Sequence, residues 1–175
     1  MAKREKNKMA APLIFTDDIL NNTEQCRRIL EKIEEFSASK SRAFLQIIIN
    51  CSGGSPTAAF AIFDSIKRLG LETETIVQGD ASSAGSIIML AGERRYITRH
   101  SSFLLHDPKF LADGWHNERD YREMADELKA ITRMYAELVS EKTGQGIRWV
   151  RQAMRKVRRF YAQDAVKYGF AHKII

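Results

Sequence analysis

The sequence predicts an α/β fold of parallel strands with helices packed on their faces. Two observations carry this: an apolar, β-branched run leads through a glycine turn into a helix start, and the same strand, turn, helix order then recurs. In chain order, Cys26, Ile29, Ile33 and Phe36 recur at spacings of three and four, which predicts a helix over 23–36 with Thr23 as its cap. The apolar run 44–49 reads as a strand buried on both faces, because β-branched residues dominate it and a glycine turn follows at once. Ser55, Pro56 and Thr57 suit a serine cap with proline in the first turn, opening a helix through Ala59, Ile62, Phe63, Ile66 and Leu69. Residues 73–78 repeat the strand, 79–82 the glycine-bearing turn and 83–91 a helix of small residues, after which 95–98 and 102–106 read as two short strands. Tyr121, Met124, Leu128, Ile131, Tyr135 and Leu138 then mark a long helix over 117–142. Its apolar stripe is narrow and its other faces are charged, so it either projects to pair with a partner helix or lies on its own core. Thr143, Gly144, Gln145 and Gly146 end it, and a basic helix and a terminal segment, 164–175, complete the chain.

A chain of 175 residues, 44% hydrophobic and 29% charged, is about one domain: residues 13–175, preceded by a short basic tail, 1–12. The aliphatic content excludes a disordered chain, and three prolines with ten glycines exclude a collagenous one. The longest uncharged stretch, 44–63, contains Gly53, Gly54, Pro56 and several polar residues, so no membrane span or membrane partner is expected. The apolar stretch 9–15 is too short for a secretory core, which makes the expected location cytoplasmic. Cys26 and Cys51 lack metal or redox spacing and imply no disulfide framework. Net charge is +6, and six basic residues with no acid fall between Arg148 and Arg159. Arg148, Arg151, Arg155 and Arg158 would line one helical stripe, readable as a solvated face, as an oligomer interface pairing with acids, or, with Trp149 and Phe160 nearby, as a surface for an acidic partner. Nucleic acid is not the expected partner.

Two turns join a strand to a helix start, and in open parallel sheets ligands bind beyond the carboxyl ends of the strands, so both turns should face one cleft. Gly53 and Gly54 in the first can turn backbone N–H groups outward as an anion nest, without the lysine or spacing of a phosphate loop. In the second, Ser83 sits among small residues at a helix start, where it is either a cap or a nucleophile. A nucleophilic serine needs a base. His106 stands 23 residues further on, at the end of an apolar strand, and could take its proton.

These residues resemble those of the Clp protease proteolytic subunit, a self-compartmentalising serine peptidase family within the crotonase-like fold. The likeness runs from about Leu13 to Ile175. Ile49-Asn50-Cys51-Ser52-Gly53-Gly54-Ser55 is similar to the family's I-N-S-P-G-G-S, and Gly79-Asp80-Ala81-Ser82-Ser83-Ala84-Gly85 to its G-x-A-A-S-M-G. His106-Asp107-Pro108 matches H-Q-P, and Ala165-Val166-Lys167-Tyr168-Gly169-Phe170 matches E-A-x-x-Y-G-L. The resemblance implies a ββα superhelix with the long helix as a projecting handle between stacked rings. It implies Ser83 as nucleophile, His106 as general base and the N–H groups of Gly54 and Ala84 as oxyanion hole. Ser82 is then only a neighbour. The implied function is a serine endopeptidase that hydrolyses peptides or unfolded proteins inside a homo-oligomeric chamber, with no cofactor and no metal.

The likeness breaks at the third catalytic position. The family's aspartate falls twelve positions after Gln145, where this chain has Val157. Valine cannot orient an imidazole, so weakened peptidase activity is expected, or else a non-catalytic structural or regulatory subunit; Asp107 and Asp164 are the candidate substitutes. Binding of a thioester, as in acyl-CoA hydratase relatives, is a third reading, and those enzymes do not require the serine-histidine pair. The resemblance also implies an ATP-dependent unfoldase as partner, an expectation that the short polar segment before Leu13 weakens. The stretch 109–116 departs from the family's glycine-rich continuation and carries Trp115 and His116, the latter expected at the surface.

Overall fold

β-branched side chains crowd a helix and fit a pleated surface, and the two richest segments of the chain are both extended. The computed structural model describes residues 13–15, 23–38, 44–110 and 112–175; the expected basic tail lies outside these. Their elements are β1 (Leu13–Phe15), α1 (Thr23–Ala38), β2 (Leu45–Cys51), α2 (Pro56–Arg68), β3 (Thr73–Ala81), α3 (Ala84–Met89), β4 (Arg94–Ile97), β5 (Ser102–Leu105), α4 (Glu118–Thr143), α5 (Ile147–Arg155), β6 (Arg158–Tyr161), α6 (Ala162–Lys167) and β7 (Lys173–Ile174). β1, β2, β3, β4 and β7 lie side by side in that order, all parallel. The alternation of strands and helices therefore yields the α/β architecture that the sequence predicts.

β2 closes one face completely, with Leu45, Ile47 and Ile49 buried, while Gln46 and Ile48 on the other face are only half-buried. The pairing of β2 with β3 shifts register between Ile49 and Cys51. There the Asp80 N–H donates to Asn50 Oδ1 at 3.1 Å, and Gly79, at φ +117°, leaves room for the Asn50 side chain. The extra length lets β3 run on to Ala81, opposite Cys51, so that the two strands end together. Their turns are thereby side by side.

β5 departs from this sheet. It meets β3 only at Asp80 and Ser102 and pairs antiparallel with β6, setting Phe103 opposite Phe160. Those two rings stack at 4.8 Å, and Phe170 packs on both. β6 also corrects the expected basic stripe. The helix stops at Arg155, and Arg158 instead lies over the rings of Trp149, Phe160 and Tyr168 at 5.7, 4.7 and 4.9 Å. Arg158 is held by aromatic faces as a cation–π contact, while Arg148, Arg151 and Arg155 remain exposed on α5.

α4 begins with a reciprocal capping box between Asn117 and Asp120 and ends on left-handed Gly144. At 26 residues it is about 39 Å long. Its second half buries Ile131, Tyr135, Ala136 and Val139, whereas no side chain from Glu118 to Ala130 is buried. The stripe therefore divides: its later residues serve the chain's own core, and Tyr121, Met124 and Leu128 do not. No helix among the described residues is long and apolar enough to cross a membrane.

Candidate active site

The first turn leaves β2 at Cys51 and enters α2 through Ser55, whose Oγ accepts the Ala58 N–H at 3.2 Å, with Pro56 in the first helical turn. Between them Gly53 and Gly54 hold φ values of +129° and +130°, which an L side chain rarely adopts. A Cβ on Gly53 would stand 2.8 Å from Ser83 Cβ, so the absence of a side chain is what lets the second turn approach the first.

Ser83 occupies the residue before α3 with φ +53° and ψ −122°, a conformation that is costly for any residue but glycine. It is held there from three sides. Its N–H donates to the Leu104 carbonyl at 2.8 Å, and its own carbonyl accepts the Ser86 N–H and the Ser86 hydroxyl, with the Tyr135 hydroxyl 3.2 Å away dividing its single proton between that carbonyl and Ser86 Oγ. Tyr135 also bonds Ser86 Oγ directly; it is fully buried, which pushes its phenol well up and keeps it a neutral donor. The Ser83 side chain makes no capping bond to α3, so of the two readings the sequence left open, the cap does not apply. Ser82 behaves differently, donating its hydroxyl to Asp80 Oδ2 at 2.6 Å. Asp80 in turn receives Arg159 Nη1 at 3.0 Å, tying β6 to the end of β3.

The Leu104 carbonyl that fixes Ser83 lies two residues before His106, so β5 delivers the imidazole beside the serine turn. Ser83 and His106 line one cavity of about 330 Å³ with Ser52, Gly53, Gly54, Pro56, Pro108 and Lys109. Among the described residues no hydrogen bond joins Ser83 Oγ directly to the ring. Gly54 is thus beside the pair, while Ala84, the first residue of α3, is buried and does not line the cavity.

His106 Nδ1 lies 2.6 Å from the main-chain carbonyl of Asp107. A carbonyl oxygen only accepts, so this bond puts a proton on Nδ1, and in the neutral ring it leaves Nε2 as the nitrogen with the lone pair. Pro108 restricts Asp107 to extended conformations, which helps aim that carbonyl. No motif would have pointed to it, because a main-chain acceptor has no residue type. Neither the Asp107 nor the Asp164 carboxylate bonds the ring among the described residues. The β5–β6 pairing ends at Leu105 with Arg158, so His106 directly follows and Val157 directly precedes the last paired residues. Val157 is half exposed and has φ +51°. Among the described residues no group of three or more His, Cys, Asp or Glu side chains is placed to hold a metal ion.

The family model for Clp protease matches residues 9–175. The ATP-dependent Clp protease proteolytic subunit 2 of Thermobifida fusca (strain YX) is 31% identical over 154 residues, covering 87% of this chain and 75% of its own length. The subunit of the same name from Rhodococcus jostii (strain RHA1) is 32% identical over 161 residues, 91% of this chain and 78% of its own length. Subunit 1 of Leifsonia xyli subsp. xyli (strain CTCB07) is 33% identical over 153 residues, 86% and 77% of the two lengths.

Proposed function

Since the chain belongs to the Clp protease family, a family of peptidases, we propose that it is a serine peptidase with Ser83 as nucleophile and His106 as general base. The observation that carries this reading is the convergence of a strained, uncapped serine and a strand-end histidine on one cavity. The Ser83 Oγ attacks the peptide carbonyl as His106 Nε2 takes its proton. The N–H groups of Gly54 and Ala84 hold the oxyanion, the imidazolium passes the proton to the leaving amine, and water then hydrolyses the acyl-enzyme. Approach of Oγ to the ring is a matter of side-chain rotation, and such bonds commonly tighten only with substrate bound.

The carbonyl of Asp107 does half the work of an acid. It fixes the tautomer, whose loss accounts for about 10⁴ in turnover in the serine protease template, but it offers a dipole where a carboxylate would offer a charge. A neutral hydrogen bond contributes about 1 kcal/mol and one to a charged group about 1.5–3 kcal/mol, so imidazolium is under-stabilised and turnover is weakened rather than abolished. Val157 also favours the second reading, a non-catalytic structural or regulatory subunit of the same assembly. The two separate cleanly. Under the peptidase reading a fluorophosphonate labels Ser83, and Ser83→Ala loses both labelling and peptide hydrolysis; a folded wild-type protein that neither labels nor cleaves is the non-catalytic subunit.

Self-association into stacked rings belongs to the same proposal, with the unburied half of α4 as the element between rings and a peptide or unfolded protein as substrate. The names of the relatives carry "ATP-dependent". An ATP-driven unfoldase is the partner that description would bring to this chain.

A further inference from the structure

The cavity around Ser83 is lined by eight residues, of which Lys109 is the one with a full positive charge, and none is acidic. Lys109 follows Pro108, which holds the chain extended as it leaves His106, and this exposed residue lines the same cavity. Among the described residues it forms no ion pair, although a salt bridge engages Lys67, Lys129 and Lys142 elsewhere on the surface. An unpaired cation beside the Ser83–His106 pair attracts anionic substrate groups and lets neutral ones pass.

We propose that Lys109 makes the rim of this cavity a carboxylate-binding subsite, so that peptides carrying a carboxylate beside the scissile bond are preferred over their amide counterparts. The inference rests on the peptidase reading and adds its substrate class. The carboxylate is supplied either by a Glu or Asp side chain or by the peptide's own C-terminus, and the two are distinguished by experiment.

Fluorogenic peptides with blocked ends that differ only by Glu or Gln next to the scissile bond test the side-chain source. A second pair, uncharged in sequence and differing by a free or amidated C-terminus, tests the terminal one. In at least one pair the acidic member should have a kcat/KM about fivefold higher, the size of a partly exposed ion pair. The ratio should shrink with added salt, fall to about one in Lys109→Met and invert in Lys109→Glu. Because each protein is scored by a ratio, changes in its absolute activity do not enter. Ratios of one in both wild-type pairs, or a ratio that survives Lys109→Met, overturn the proposal. Binding of the same labelled peptides to Ser83→Ala protein, followed by anisotropy, makes the comparison without turnover. A preference there with no hydrolysis by the wild type faults the peptidase reading alone, and no preference faults the subsite.

Discussion

Val157 combines two anomalies at one position. Its backbone is left-handed, at φ +51°, where a β-branched side chain crowds the following carbonyl and costs about 1–2 kcal/mol. It also stands at the position where the family resemblance places the aspartate, next to Arg158, whose β5 partner Leu105 precedes His106. Asparagine and aspartate are at ease in such a conformation, so Val157→Asn should raise the thermal midpoint by about 2–4 °C, read by differential scanning calorimetry. Val157→Asp should gain similar stability and also increase kcat about tenfold or more if the peptidase reading holds, by restoring a carboxylate at the position the resemblance assigns to the acid. If Val157→Asp stabilises the protein but leaves kcat unchanged, the imidazole stays with the Asp107 carbonyl and the acid position is not recovered. Lys109 and Asp107 show how site residues escape a reading by motif. Nothing about a lone lysine after a proline marks it, and a main-chain acceptor is visible only when the chain is folded.

At the level of elements, α4 illustrates how one periodic stripe can serve two purposes. Residues at spacings of three and four share a face along the whole helix, yet the fold reaches only its second half. Ile131 is 5% exposed and Tyr121 56%, which decides the choice of variant. Charge at Ile131 would damage the protomer itself. Tyr121→Asp combined with Leu128→Asp should leave the circular dichroism and thermal midpoint of the protomer nearly unchanged while lowering the mass measured by light scattering. An unchanged mass would remove α4 from the assembly interface. β6 is the element that the sequence concealed. Four residues, Arg158 to Tyr161, are too few to show a period of two, and the basic run before them continues a helical pattern.

The whole molecule is tied together at Arg95, a buried cation with no acidic partner among the described residues. Its guanidinium donates to the carbonyls of Phe170, Gly92, Lys142 and Gly169, joining β4 to the end of α4 and to the C-terminal segment. Burial draws its pKa down, but a guanidinium keeps its proton. Arg95→Met leaves those carbonyls without their donor and should cost on the order of 3 kcal/mol in chemical denaturation. The Arg95 N–H also donates to His172 Nδ1 at 3.1 Å, just before β7. Burial, and then the nearby Arg95 charge, hold His172 below its usual value of 6.5. The folded state therefore favours the neutral ring, and the unfolded chain binds the proton more readily. This contribution is complete above about pH 6.5 and is lost as the pH falls below it. The decline in thermal midpoint between pH 7.5 and 5 should be smaller in His172→Gln than in the wild type; equal declines would exclude His172 as the source.

The order of strands and helices from α1 to α5, the two glycine turns and the identity of Ser83 and His106 as candidates were written in the sequence, because periodicity, turn chemistry and short motifs are local properties of a chain. What surrounds those side chains was not. Whether Ser83 caps its helix, which acceptor holds His106 and which half of α4 is covered depend on contacts between segments far apart in the chain, made only when β2, β3, β5 and β6 come into register.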